Sequence, residues 1–149
     1  MRRNKKVARK MRGKKKDKTI LVVDEEETEA ESICRILESE GYTTIPARSY
    51  WEALRAHDQY AGRVDLLLTA IALPGNNGYE LAHALTEGNP RLRVLFMSGP
   101  AGAEVSRFYN MPTAGPHLVN KPLQAPELVS RVNRVFRSRI RQMRVQRAG

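Results

Sequence analysis

The sequence predicts an α/β protein, a doubly wound five-stranded parallel sheet with helices on both faces. Three observations carry that expectation. Short apolar runs at Thr19–Val23 (TILVV), residues 66–68 (LLL) and residues 93–97 (RVLFM) have the length and composition of strands. Between them lie segments with apolar residues at helical spacing, and such alternation implies parallel strands joined by right-handed crossovers. The Leu66-Leu67-Leu68 run is apolar on consecutive residues, as a strand is when both its faces are covered.

The first strand, Thr19–Val23, runs into Asp24-Glu25-Glu26-Glu27. A helix is predicted from Thr28, with Ala30, Ile33, Cys34 and Leu37 on one face and Gly41 as a left-handed C-terminal cap. Acids in its first turn (Glu26, Glu27, Glu29) complement the helix dipole. Residues 42–47 make a weak second strand at an edge, because Pro46 cannot donate to a central ladder. Ser49 is placed to cap a helix over residues 50–60, with Trp51 and Leu54 packing inward.

The organising stretch is residues 64–78 (VDLLLTAIALPGNNG), a buried strand that ends in the turn formers Pro74, Gly75, Asn76, Asn77 and Gly78. Open α/β sheets place their chemistry at the carboxyl ends of strands. The residue at this end is Ala70, and a methyl group does no chemistry. A helix follows from Tyr79 to about Glu87, turning Leu81, Ala82 and Leu85 to the sheet and leaving His83 solvated. Residues 93–97 form the fourth strand, which ends at Ser98-Gly99. The Pro- and Gly-rich residues 100–116 leave room for only a short helix at about 103–110. A short fifth strand at 117–120 ends in Lys121-Pro122. The last helix is predicted over 126–139, with Leu128, Val132, Val135 and Phe136 inward. Its apolar stripe continues through Ile140 and Met143, so a basic amphipathic extension over 137–149 is expected beyond the domain.

A chain of 149 residues with 41% hydrophobic and 28% charged residues reads as one globular domain. No apolar run approaches the roughly 18 residues of a membrane span. The basic start has no apolar stretch behind it to serve as a signal peptide, so a cytoplasmic location is expected. One cysteine, Cys34, rules out an internal disulfide, and His57, His83 and His117 are isolated, without zinc spacing. The net charge of +10 divides unevenly. Residues 1–18 hold 11 Lys/Arg and one acid, and residues 131–149 hold seven Arg and no acid, which leaves 8 basic against 15 acidic residues in 19–130. The first 18 residues read as a disordered basic arm: a solvated tail, a leader from a start codon set too far upstream, or a contact for nucleic acid or an anionic surface.

Taken together, the Asp24-Glu25 pair, the layout Thr69-Ala70-Ile71-Ala72-Leu73-Pro74-Gly75, Ser98 after the fourth strand and Lys121-Pro122 after the fifth resemble the receiver domain of two-component response regulators. The resemblance covers roughly residues 19–136. It implies a flavodoxin-like sheet of order 2-1-3-4-5, which brings Asp24, Glu25, Ala70, Ser98 and Lys121 to one rim. In that family the third strand ends in a phosphoacceptor aspartate, and here Ala70 stands in its place. The family holds Mg²⁺ with an acidic pair where Asp24 and Glu25 lie, so these imply a weak or vestigial Mg site. Ser98 and Lys121 are implied remnants of the phosphoryl site, with a cis peptide commonly before the proline. Three residues before the lysine the family carries an aromatic switch residue, and that position is Leu118.

Phosphoryl transfer needs a nucleophilic oxygen, and Thr69 should point to the opposite face of the strand. Lys121 is then expected to pair with Asp24 or Glu25. The leading expectation is a stand-alone, receiver-like signalling domain, not an enzyme. It would act independently of phosphorylation by binding a partner such as a histidine kinase or another phosphorelay component. A second reading is a receiver scaffold that binds nucleic acid or anionic surfaces through its basic termini. A third is a true phosphoacceptor in which Ala70 is an altered Asp.

Overall fold

The computed structural model describes residues 17–112 and 115–138. In chain order the elements are β1 (Thr19–Val23), α1 (Glu27–Ser39), β2 (Thr43–Ala47), α2 (Tyr50–Gln59), β3 (Leu66–Ala70), β4 (Ala72–Leu73), β5 (Asn76–Asn77), α3 (Gly78–Gly88), β6 (Arg93–Ser98), α4 (Pro100–Phe108), β7 (Leu118–Asn120) and α5 (Ala125–Arg137). The main sheet has the order β2-β1-β3-β6-β7, and every pairing in it is parallel. This is the 2-1-3-4-5 arrangement expected from the sequence. Most of the basic arm, and the chain beyond Ser138, lie outside the described residues.

Alternation of side chains along each strand divides the interior in two. Ile20, Val22, Leu66, Leu68, Leu95 and Met97 meet α1 and α5 through Ile33, Leu37, Leu128 and Val132. Leu21, Val23, Leu67, Phe96 and Leu118 meet α2 and α3 through Tyr50, Ala53, Leu81 and Leu85. Every residue of β3 is buried, which is why its sequence carries no polar alternation. A fully buried leucine contributes about 1.5–3 kcal/mol relative to exposure, so this central strand anchors both layers.

Local chemistry sets the element ends. Gly41 has φ 99°, the Gly41 N–H donates to the Glu38 carbonyl and the Tyr42 N–H to the Leu37 carbonyl, the paired bonds of a Schellman ending. Ser49 Oγ accepts from the Glu52 N–H at 3.1 Å, as the cap assignment requires. Asn77 performs the same service for α3, accepting from the Glu80 N–H at 3.0 Å.

Four features depart from expectation. Trp51 is 62% exposed, and the buried stripe of α2 is Tyr50, Ala53 and Ala56. Ser49 fixes the phase of the helix, and the alanines let it approach the sheet too closely for an indole to fit between. Trp51 instead lies over Gly75. Second, β4 and β5 form a small antiparallel pair around Pro74-Gly75. Gly75 has φ 88°, as the third position of a type II turn demands. Third, α4 begins at Pro100 itself, since proline at the first helical position loses no intrahelical bond. Fourth, α5 ends at Arg137, two residues short of the expected 139, with Ser138 extended. The Arg93 side chain explains the stop: its Nη1 donates to the carbonyls of Val135 at 2.6 Å and Ser138 at 2.9 Å.

Candidate functional site

The carboxyl ends of four parallel strands meet at one rim. Asp24 follows β1, Ala70 ends β3, Ser98 ends β6 and Lys121 follows β7. Register sets them side by side, with Val23 opposite Thr69, Ala70 opposite Met97 and Ser98 opposite Asn120.

Asp24 is 1% exposed, and a buried carboxylate persists only when its oxygens are partnered. Its Oδ1 accepts from the Glu26 N–H at 3.1 Å, at the positive end of α1. Its Oδ2 accepts from Lys121 Nζ at 2.8 Å. The same ammonium lies 3.4 Å from Glu29 Oε2. Burial pulls the Lys121 pKa down, but the hydrogen bond and charge of Asp24, with Glu29 behind it, more than reverse this and hold it above the usual lysine value. The Lys121 backbone N–H donates to the Ser98 carbonyl at 2.8 Å, which ties the end of β7 to that of β6. The Lys121–Pro122 peptide is cis.

Ala70 is 5% exposed and lines a cleft of about 260 Å³ together with Asp24, Glu29, Gly99 and Lys121. Thr69 is fully buried, and its Oγ1 donates to the Ala70 carbonyl at 2.8 Å. Its Cγ2 faces Gly78, in the layer of α2 and α3, so the hydroxyl is turned from Asp24 as strand alternation requires. Gly78 is needed at the start of α3, because a Cβ there would collide with the Ala70 carbonyl oxygen. Gly102 brings the first turn of α4 down onto Ile71 and Ser98: a Cβ there would lie 3.1 Å from Ile71 Cβ and 3.4 Å from Ser98 Oγ.

The candidates named from the sequence therefore separate. Asp24, Ala70 and Lys121 converge, and Ser98 joins them through its backbone while its side chain is half-buried beneath α4. Leu118 is 3% exposed and packs opposite Phe96 in the core. Glu25 is exposed at the mouth of the cleft. Of the two carboxylates expected to pair with Lys121, Asp24 does so, and the second acid beside the ammonium is Glu29. In the sequence Glu29 stands out only as a helix-dipole acid. The missed signal is its place: with Glu26 as the cap it is the third helical residue, whose side chain turns back over the helix start. This donor set suits an ammonium better than Mg²⁺. Both Asp24 oxygens are engaged, position 70 offers a methyl, and among the described residues no three His, Cys, Asp or Glu side chains are grouped to hold a metal ion.

Residues 20–133 match the response regulator receiver domain family, and the chain belongs to it. It is a module of two-component signalling. Among curated proteins it is 31% identical over 128 residues to the phosphate regulon transcriptional regulatory protein PhoB of Escherichia coli, covering 85% of this chain and 55% of PhoB. It is 29% identical over 119 residues to the sensor kinase CckA of Brucella abortus, covering 79% of this chain and 12% of the kinase. The chain thus spans about half the length of such relatives, or much less. Among solved structures it superposes on a receiver domain protein from Clostridium thermocellum with a TM-score of 0.70 at 23% identity, over 80% of this chain and 94% of that one. The non-phosphorylated receiver domain of HemR from Leptospira biflexa gives 0.65 at 28% identity, over the same shares. No helix of the described residues is long and apolar enough to cross a membrane.

Proposed function

We propose that this receiver module signals without accepting a phosphoryl group, by binding a component of a phosphorelay such as a histidine kinase. The observation that carries the reading is Ala70: at the carboxyl end of the central strand, lining the cleft beside Asp24 and Lys121, the side chain is a methyl. A phosphoryl acceptor there would have to be a nucleophilic oxygen, and the neighbouring hydroxyl, Thr69, is bonded to a carbonyl on the far side. Two further features fit a fixed surface. Lys121 is already paired with carboxylates, and Leu118 is an aliphatic side chain packed in the core, with no aromatic ring to reorient. The setting is the cytoplasm, where such relays operate.

Treatment of the full chain with acetyl phosphate and Mg²⁺, followed by intact-mass measurement, tests this. The expected result is no mass gain, while Ala70→Asp gains one phosphoryl group under the same conditions. A phosphoryl adduct on the unaltered chain would overturn the reading.

A further inference from the structure

Five acids crowd the start of α1: Asp24, Glu25, Glu26, Glu27 and Glu29. Such a concentration of charge calls for a counter-ion. The helix N-terminus supplies a partial one, and Arg48 stands 3.7 Å from Glu27 on the exposed side. Within the cleft the cation is a side chain. Lys121 Nζ is 2.8 Å from Asp24 Oδ2 and 3.4 Å from Glu29 Oε2, so the ammonium is clasped from β1 and from α1 at once.

We propose that the Lys121 ammonium is the resident cation of this rim, held by Asp24 and positioned by Glu29, and that it excludes divalent ions from the cleft. Magnesium requires near-octahedral oxygen ligands at about 2.0–2.1 Å. An ion bound to Asp24 Oδ2 would stand beside the ammonium, and the two positive charges would repel across a short gap. The other Asp24 oxygen already accepts from the Glu26 N–H, and Glu25 is exposed at the mouth of the cleft, away from the clasped ammonium's two partners. The inference deepens the reading of the rim given above, because only an uncharged residue at position 70 leaves Lys121 to Asp24 and Glu29. Its consequence is a surface whose charge and shape do not change with magnesium concentration, so a docking partner meets one form of it.

Thermal melts of the full chain with and without MgCl₂, repeated with the tighter-binding MnCl₂, decide the matter when run on the unaltered protein, Lys121→Met and Lys121→Arg. The unaltered protein and Lys121→Arg are expected to melt at the same temperature with or without about 10 mM metal. Lys121→Met is expected to melt lower and to gain a saturable metal-dependent rise of roughly 4 °C. Should Lys121→Met not fold, Lys121→Gln, whose amide can still donate to Asp24, carries the same expectation. A saturable rise in the unaltered protein equal to that of the variant would overturn the proposal, as would a folded variant with no response. Neither result bears on the phosphoryl mass measurement, so the two readings fail separately.

Discussion

At the rim, Asp24 is sealed to 1% exposure and bonded to an ammonium that stays 23% exposed, with the cleft open beside it. At the seam between α3 and α4, the hydroxyls of Tyr79 and Ser106 meet at 2.7 Å, both 1% exposed, and Ser106 Oγ donates onward to the Gly102 carbonyl at 3.0 Å. Phe96 and Tyr109 pack on the Tyr79 ring, and Asn77 Nδ2 donates to the Tyr109 hydroxyl at 3.1 Å. The seam is neutral and closed, whereas the rim is charged and half open. A hydroxyl pair satisfied by its own bonds can be buried without solvent, but a charge loses hydration that a single partner rarely restores. That is why the ion pair sits at the strand ends and the hydroxyl pair in the interior. The difference also separates the two regions in structure: the seam joins α3 to α4 in the interior, and the rim stays open to solvent.

The largest effect should come from Lys121→Met, which leaves Asp24 buried beside Glu29 without its cation. Breaking such a pair costs about 3–5 kcal/mol, and the partial exposure of Lys121 favours the lower end. The loss should appear as a lower urea midpoint at neutral pH. It also has a pH signature. The Lys121 pKa is raised in the folded protein, so its contribution is complete below 10.5 and is lost as pH climbs through the folded value. The difference in stability between the unaltered protein and Lys121→Met should therefore shrink above pH 10.5. Tyr42, pushed up to about 12 chiefly by burial, loses stability with the same sign in that range, but it does so in both proteins and cancels. A difference that stays constant into alkali would show that the ion pair is not what the mutation removed.

The seam should yield less. Ser106→Ala leaves the Tyr79 hydroxyl buried with no acceptor, a cost of about 2 kcal/mol. Tyr79→Phe should cost only about 1 kcal/mol, since Ser106 keeps the Gly102 carbonyl and the ring keeps its packing. Neither variant should respond to magnesium, and their ranking in chemical denaturation sharpens the contrast with Lys121→Met. If Tyr79→Phe were the costlier of the two, the hydroxyl pair would not be what joins α3 to α4.

Much of this layout was legible in the sequence because its causes are local. The unbroken apolar run of β3 signalled burial on both faces, Pro46 an edge, Gly41 a left-handed ending and Ser49 a cap. What escaped depended on distance between layers or on side-chain direction. Trp51 looked like a core residue by hydropathy, yet the close approach marked by Ala53 and Ala56 leaves no room for it. Glu29 looked like a dipole acid, and only the path of Lys121 from the far end of the chain makes it part of the rim. The end of α5 was hidden for a similar reason, because Arg93, more than forty residues earlier, claims its last carbonyls.

An effect as small as that of Tyr79→Phe isolates the residue on which the functional reading rests. Ala70→Asp adds a carboxylate to the cleft that would compete with Asp24 and Glu29, the two acids already paired with the Lys121 ammonium. Like charges disfavour one another's ionised forms, and the site is 5% exposed, so solvent screens little of the repulsion. Lys121 offsets part of this by turning toward the new acid. The net loss in metal-free buffer should therefore be modest, about 1 kcal/mol, the usual scale of a single substitution. Three carboxylates now compete for one ammonium, which leaves oxygens free for a divalent ion, and binding to the folded state should recover the loss by mass action. The unaltered protein should show neither the loss nor the recovery. Paired melts with and without MgCl₂ read both quantities at once. Identical melting of Ala70→Asp in the two buffers, together with no phosphoryl mass after acetyl phosphate, would mean that this rim is not a phosphoacceptor site silenced at a single position.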